Sequence, residues 1–303
     1  MEQNEQNNLS SNSKLSLNHL EQQNFANDLE NKIENFVANS YTKPYVAILT
    51  PCYGGLCSSQ YTLCLIDTIK LLESYSVGVT VFFCNNDSLV SRARNNLVGM
   101  AMRDKNITHF MFIDADIVWN PLDIIKLLVS DKQFIGGIYP KKSYKFDRLC
   151  SNPQVINNWI EAKNKISPGL PDEVIIRNNL VDYNLNYLST GLEIVNNIIQ
   201  VKHIATGFIM LKVEVFELMS EAFSETKYID DTGFIKPNDS THTYALFDTG
   251  VVNGHYLSED WMFCERWRNL KGEIFADISI DLGHIGTECF QGSYIKNLIT
   301  TKM

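Results

Sequence analysis

The sequence predicts an α/β fold: a mostly parallel central sheet with helices on both faces and a loop-rich insertion. Two observations carry this. Between residues 45 and 139, short β-branched and aromatic runs alternate with helix-length segments, the pattern left by crossover helices between parallel strands. In addition, polar residues collect where those runs stop, at Thr50, Asn85-Asn86 and Asp114/Asp116. In such sheets ligands bind beyond the carboxyl ends of the strands, so these positions converge on one rim.

Residues 1–18 are low-complexity Asn/Ser/Gln sequence, a composition that predicts disorder. The spacing of Leu20, Phe25, Leu29, Ile33 and Phe36 predicts an amphipathic helix ending near Val37. Its apolar stripe either docks on the domain or mediates a homo-oligomer. This divides the chain into a tail with a short helix, 1–40, and a single domain, 41–303.

Within that domain, Tyr45–Leu49 reads as a strand ending at Thr50-Pro51, and Tyr61–Ser74 as a helix. Val77–Cys84 is a second strand, closed by Asn85-Asn86. Asp87 or Ser88 then caps a helix from Leu89 to Arg103. Ile107–Ile113 is the third strand, Pro121 starts a helix to Val129, and Gln133–Tyr139 returns to strand. Residues 143–200 are polar, with Asn-rich turns and Pro168 and Pro171, and predict a loop-rich insertion with a hairpin or two. Ile204–Leu211 reads as one buried strand, Lys212–Met219 as a helix and 230–255 as an acidic loop. Ser258–Leu270 is helical, and Ile274–Ala276 and Ile280–Gly283 are short strands.

The formal charge of −9 comes without a dense Lys/Arg cluster, which argues against a nucleic-acid partner. Seven cysteines form an odd set with no C-x-x-C pair and sit largely in apolar runs. They read as reduced core thiols, which favours a reducing, cytoplasmic compartment. No secretory n-region precedes an apolar stretch, and no apolar run approaches the ~18 residues of a transmembrane segment.

The run I-T-H-F-M-F-I-D-A-D ends a strand on two carboxylates. If extended geometry persists past Ile113, alternation points Asp114 and Asp116 to the same side. Two carboxylates there require a cation between them, and oxygen ligands suit Mg²⁺ or Mn²⁺. A strand-end aspartate capping the next turn is the purely architectural alternative.

This D-A-D resembles the metal-binding DxD motif of nucleotide-sugar-dependent glycosyltransferases with the GT-A fold. The resemblance implies that Asp116 ligates the metal. Asp114 then contacts the ribose, or the metal through water, with Ala115 between them in the donor site. Y-V-A-I-L-T-P-C-Y, residues 45–53, is similar to the family's opening strand and implies Thr50, Pro51 and Tyr53 at the nucleotide base, Tyr53 stacking on uracil. N-N-D-S-L-V-S-R-A-R-N-N, residues 85–96, implies Asn85 or Asn86 at the base. It also implies Arg92 and Asn96, one helical turn apart, at the base or diphosphate.

S-E-D-W-M-F-C-E-R-W-R, from residue 258, resembles the ED-x-x-L-x-x-R element of inverting members, matched in order by Glu259, Asp260, Phe263 and Arg266. This implies Asp260 as general base, with Glu259 second. D-L-G-H-I-G, residues 281–286, implies His284 as a third metal ligand. Lys141, with Lys142 and Lys145, either meets phosphate or an anionic acceptor or forms a solvated charge run. Thr206-Gly207 lets a donor sugar approach the backbone, and Trp261 or Trp267 stacks an acceptor sugar.

The resemblance covers about 45–140 and 204–290 and extends to GT-A-like proteins of large DNA viruses and bacteria. It divides the domain into a nucleotide-binding half (41–140), the insertion (143–200) and an acceptor and metal half (201–295). If the source is viral, the compartment is the host cytoplasm or the virion. The expected activity is transfer of a sugar from a UDP-sugar to a glycan or other hydroxyl acceptor, with Mn²⁺ or Mg²⁺ and inversion. A retaining outcome stays open, with Asp260 then orienting the donor. Two rival classes are a nucleotidyltransferase and an inactive glycan-binding or scaffold protein. The first is disfavoured because 51–69 contains no Lys or Arg beside Gly54-Gly55. No P-loop or dinucleotide fingerprint is present.

Overall fold

The computed structural model describes residues 27–301 except 168, 190 and 237–240. The low-complexity tail, Leu20, Phe25 and Pro168 lie outside the described residues. Helix α1 (27–39) buries Leu29 and Ile33 against the same chain, with Phe36 and Val37 packed beside them. The described part of its apolar stripe packs on the domain's own core.

Strand β1 (Tyr45–Cys52) leads through helix α2 (Ser59–Ser74) to β2 (Gly78–Asn85), and β2 leads through α3 (Val90–Ala101) to β3 (His109–Ile113). Both β2 and β3 pair with β1 in parallel. The short strand β4 (Ile117–Val118) precedes α4 (Pro121–Val129), which Asn120 and Asp123 start as a reciprocal capping box. Strands β5 (Phe134–Gly137) and β6 (Pro140–Tyr144) follow.

The insertion carries three helices and several short strands rather than being loop-rich. It holds α5 (Asp147–Ser151), α6 (Val155–Ile166) and α7 (Asp172–Leu180), then β7 (Val181–Tyr183), β8 (Leu185–Tyr187), β9 (Ile194–Val195) and β10 (Ile198–Ile204). Trp159, Ile175 and Leu180 form a small core of their own. Helix α6 forms because Val155, Trp159 and Ala162 repeat at i, i+4 and i+7, an apolar stripe that the surrounding asparagines obscure.

The expected strand Ile204–Leu211 is also corrected. Ala205-Thr206-Gly207 interrupts it, so β10 ends at Ile204 and β11 (Phe208–Lys212) starts afresh. Helix α8 (Val213–Ala222), the hairpin β12 (Gly250–Val252) and β13 (His255–Leu257), and α9 (Glu259–Asn269) come next. The hairpin turns at Asn253-Gly254, with φ of 52° and 81°, the positive values a tight two-residue turn needs. Then come β14 (Ile274–Asp277), β15 (Leu282–Ile285), β16 (Cys289–Gly292) and α10 (Tyr294–Thr301), the last packed on α6 and α7.

The large sheet has the order β2-β1-β3-β11-β5-β14-β10-β8, with β9 beside β10. Strands β2, β1, β3, β5 and β14 run one way, while β11 lies antiparallel between β3 and β5 and β10 antiparallel to β14. The sheet is thus mostly parallel in direction but mixed in pairing. In β3, Phe110 and Phe112 face a core formed with α3, α8 and α9, and Met111 and Ile113 face one formed with α1, α2 and α4. Both faces are covered, which is why β3 reads as a continuous apolar run. Among the described residues no helix is long and apolar enough to cross a membrane.

Candidate functional site

Because β11 runs against its neighbours, its start lies at the rim where β1 and β3 end. The rim therefore gathers residues after β1, β2, β3 and β5 and residues before β11. A cleft of about 540 Å³ opens there, walled by Pro51, Cys52, Tyr53 and Cys57 on one side and Asp87, Ser88 and Val90 on another. Its floor is Asp114, Ala115 and Asp116. The loop after β1 turns through Gly54 and Gly55, with φ of 67° and 68°, which leaves the Tyr53 ring standing 78% exposed at the mouth. Ser58 N–H donates to the Ala115 carbonyl at 3.0 Å and ties that loop to the D-A-D turn.

Strand geometry does not persist past Ile113. Asp114 N–H donates to the Gly207 carbonyl and Ile117 N–H to the Asp114 carbonyl, both at 3.0 Å, so residues 114–117 form a turn. The two carboxylates consequently diverge instead of sharing a side.

Asp114 turns inward. Arg94, 2% exposed on α3, donates from Nη2 to Asp114 Oδ1 at 2.9 Å and Oδ2 at 3.2 Å, and from Nη1 to the Thr206 carbonyl at 3.4 Å. Its Nε is buried without a hydrogen-bond partner. Burial alone lowers the Arg94 pKa, but Asp114 and Asp260 more than restore it and keep the guanidinium charged. Thr206 Oγ1 donates to Asp260 Oδ1, so one chain of contacts runs from Asp114 through Arg94 and Thr206 to Asp260. Burial pushes the Asp260 carboxyl up to about 6; Glu259 and Asp114 add to the rise, and Arg94 and the Thr206 hydrogen bond oppose it. Asp260 sits in the first turn of α9, where the helix dipole favours a carboxylate. Tyr139, just past β5, accepts from Gly207 N–H at 3.2 Å and faces the same charges.

Asp116 turns outward to a second corner. The register β4–β15 places His284 opposite Ile117, and Ile285 N–H donates to the Asp116 carbonyl at 2.8 Å. His284 Nδ1 lies 2.9 Å from the Pro140 carbonyl. A carbonyl only accepts, so Nδ1 carries a proton, and Nε2 is directed at Asp116 Oδ1, 3.5 Å away, as a donor when the ring is charged and as a free lone pair when it is neutral. Lys142 Nζ donates to Asp116 Oδ2. Burial alone would raise the Asp116 pKa, but His284 and Lys142 outweigh it and hold the carboxyl below its ordinary value.

Among the described residues no group of three or more His, Cys, Asp or Glu side chains is placed to hold a metal ion. The expected triad of Asp114, Asp116 and His284 is not assembled, because Asp114 is paired with Arg94. The donors that remain at this corner are the Asp116 carboxylate and His284 Nε2, a pair of the size that suits a Mg²⁺- or Mn²⁺-type ion only with further ligands. Such ions are commonly held by one or two protein groups plus substrate phosphates and water, and the Pro140 carbonyl orients His284 as outer-shell partners orient ligating histidines.

Other expected site residues are buried, paired or set beside the cleft. Thr50 is fully buried and bonded to the Tyr61 hydroxyl, so it supports the cleft wall without facing a ligand. Asn96 is fully buried beneath the Tyr228 hydroxyl, and Arg92 is paired with Asp87 at 2.8 and 2.9 Å. Asn85 and Asn86 are exposed next to the cleft, whose wall is carried by Asp87 and Ser88. Lys141 is exposed; its neighbour Lys142 reaches the acidic turn. Phe263 stacks on Phe247 at 4.1 Å, and Arg266 holds the Ala245 and Leu246 carbonyls at 2.7 Å, so the later positions of that element are architectural. Trp267 is core, whereas half-buried Trp261 stacks on His203. Glu259 shares the first turn of α9 with Asp260.

Arg94 is the residue that sequence reasoning missed. It lies in line with Leu97, Val98 and Ala101 at i+3, i+4 and i+7, a buried stripe, and a charge on such a stripe needs a buried partner.

No family model matches the chain, and no curated protein matches it. Among solved structures, it is similar to the one described as "Crystal Structure of A197 from STIV", at 15% identity over 83% of this chain and 91% of that chain, with a TM-score of 0.42.

Proposed function

We propose that the protein is a GT-A-type glycosyltransferase that moves a sugar from a nucleotide-diphosphate donor, first of all a UDP-sugar, to a hydroxyl acceptor with inversion. The observation that supports this best is Asp260. It is a half-buried carboxylate at a helix start, with a pKa pushed up to about 6, on the same rim as a cleft floored by the D-A-D turn. A general base is most effective when its pKa lies near the working pH, and at pH 7 such a carboxylate is still ionised.

The Tyr53 ring offers a face for the base, while Pro51, Cys52 and Ala115 wall the nucleoside. Asp116 and His284 Nε2 would hold Mn²⁺ or Mg²⁺ together with diphosphate oxygens. When bound, such an ion offsets the charge that develops on the leaving diphosphate. Thr206 engages one oxygen of Asp260, so the other is offered to the acceptor. Asp260 takes the hydroxyl proton as the acceptor oxygen bonds to the anomeric carbon and the bond to the diphosphate oxygen breaks. Arg94 keeps Asp114 and the 205–207 turn in place around this base.

Calorimetric titration of UDP, GDP and CMP with and without Mn²⁺, on the wild type and Asp116→Ala, tests the reading. Mn²⁺-dependent UDP binding that weakens at least about tenfold in the variant is expected, the loss of a charged ligand contact. Absence of binding for all three nucleotides, with or without Mn²⁺, sinks the proposal.

A further inference from the structure

Lys142 stands where a cation belongs. Its ammonium donates to Asp116 Oδ2 while His284 Nε2 faces Oδ1 of the same carboxylate. Its stem is seated too: a Cβ added at Gly286, in the β15–β16 turn, would come within 3.1 Å of Lys142 Cδ. Lys141 and Lys142 are both exposed, but Lys142 is the one seated on Asp116, while Lys145 lies 3.7 Å from Asp182. A divalent ion on Asp116 and His284 meets a like charge as long as the ammonium stays. A diphosphate supplies fresh acceptor oxygens within reach of the same flexible side chain.

We propose that Lys142 makes metal binding conditional on the donor: without a diphosphate its ammonium occupies the cation position on Asp116, and a diphosphate draws it away and frees Asp116 and His284 for the divalent ion. The proposal rests on the metal and donor site of the proposed function described above. Lys142 then has two partners in turn, the carboxylate at rest and the diphosphate when the donor is bound. Coupling of this kind is reciprocal, so Mn²⁺ tightens UDP by the same factor by which UDP tightens Mn²⁺.

The test is Mn²⁺ affinity of the full chain, read from the free-ion electron paramagnetic resonance signal, with and without UDP, for wild type, Lys142→Met, Lys142→Arg and Asp116→Asn. In the wild type UDP is expected to tighten Mn²⁺ by about tenfold or more, within the usual range for coupled sites. Lys142→Met should bind Mn²⁺ alone about tenfold more tightly than wild type and respond less to UDP. Lys142→Arg, which keeps the charge, should behave as wild type, and Asp116→Asn should lose Mn²⁺ throughout. An unchanged or weaker Mn²⁺ affinity in Lys142→Met, with UDP still bound, overturns the role of Lys142 and leaves the transferase reading standing. Tighter Mn²⁺ in Lys142→Met with no effect of UDP on any variant overturns the conditional step and the donor site together.

Discussion

Asp114 and Asp116 are one residue apart and occupy opposite surroundings. Asp114 faces a buried guanidinium and, through it, the base corner made by Thr206 and Asp260. Asp116, more exposed, faces an ammonium and an imidazole at a corner completed by β15. The Asp260 corner is held by side chains packed within the domain, whereas the Asp116 corner is set by the register of β15 on β4 and by the Lys142 contact. Under the proposed function, rigidity serves the group that takes a proton at one position, and exchangeability serves the group that trades partners.

The largest expected effect breaks the base corner outright. Arg94→Met leaves the Asp114 carboxylate without its buried partner and should cost about 3 kcal/mol, as removing one member of a buried pair does, read from chemical denaturation. Stability within experimental error of wild type would show that Asp114 is solvated on its own. Asp260→Asn should lower transfer by about 10²- to 10⁴-fold, the usual worth of a general base, while Mn²⁺-dependent UDP binding stays. Loss of both together would make Asp260 a donor-binding residue.

The same carboxyl gives a pH signature. Its pKa rises from 3.8 to about 6 on folding, so the native state holds the proton more tightly. The stability this contributes is complete below the unfolded value and is lost as pH rises through about 6. Asp260→Asn should therefore gain on wild type between about pH 4 and 6.5, and the wild-type transfer rate should fall below about pH 6 as the base protonates. A flat stability difference across that window contradicts the raised pKa.

A smaller effect sharpens the contrast at the seam between the corners. In Gly207→Ala the new Cβ would stand 2.5 Å from the Tyr139 hydroxyl and 2.6 Å from Asp114 Oδ2. Overpacking of this order costs about 1–3 kcal/mol, measurable by thermal unfolding, and should weaken transfer more than Mn²⁺ binding. Smallest is Arg92→Ala. Its pair with Asp87 is solvent-accessible on the arginine side, and loss should stay below about 1 kcal/mol.

Much of the sheet was legible because buried strands and crossover helices leave strong local patterns: β1, β2, β3 and the helices between them fall close to their predicted spans. The reversal of β11 was not legible, since an apolar strand reads the same in either direction and its partners are distant in sequence. The insertion misled through composition, as asparagines drew attention from the stripe of Val155, Trp159 and Ala162. Within the site, the strand-end positions gave the rim. Which arginine turned inward required helix phase: Arg92 and Arg94 differ by two positions, about 200° around the axis. The divergence of Asp114 from Asp116 depends on the Gly207 carbonyl, a tertiary partner that spacing cannot reveal.

The pairing of β15 with β4 joins a segment near the middle of the chain to one close to residue 285. During synthesis the cleft loop, the D-A-D turn and Arg94 leave the ribosome well before His284, and folding proceeds N-terminal first. The D-A-D turn thus leaves the ribosome while the histidine that faces Asp116 is still unmade. Any product that stops short of β15 carries the Asp116 and Lys142 pair without the imidazole that faces it in the full chain.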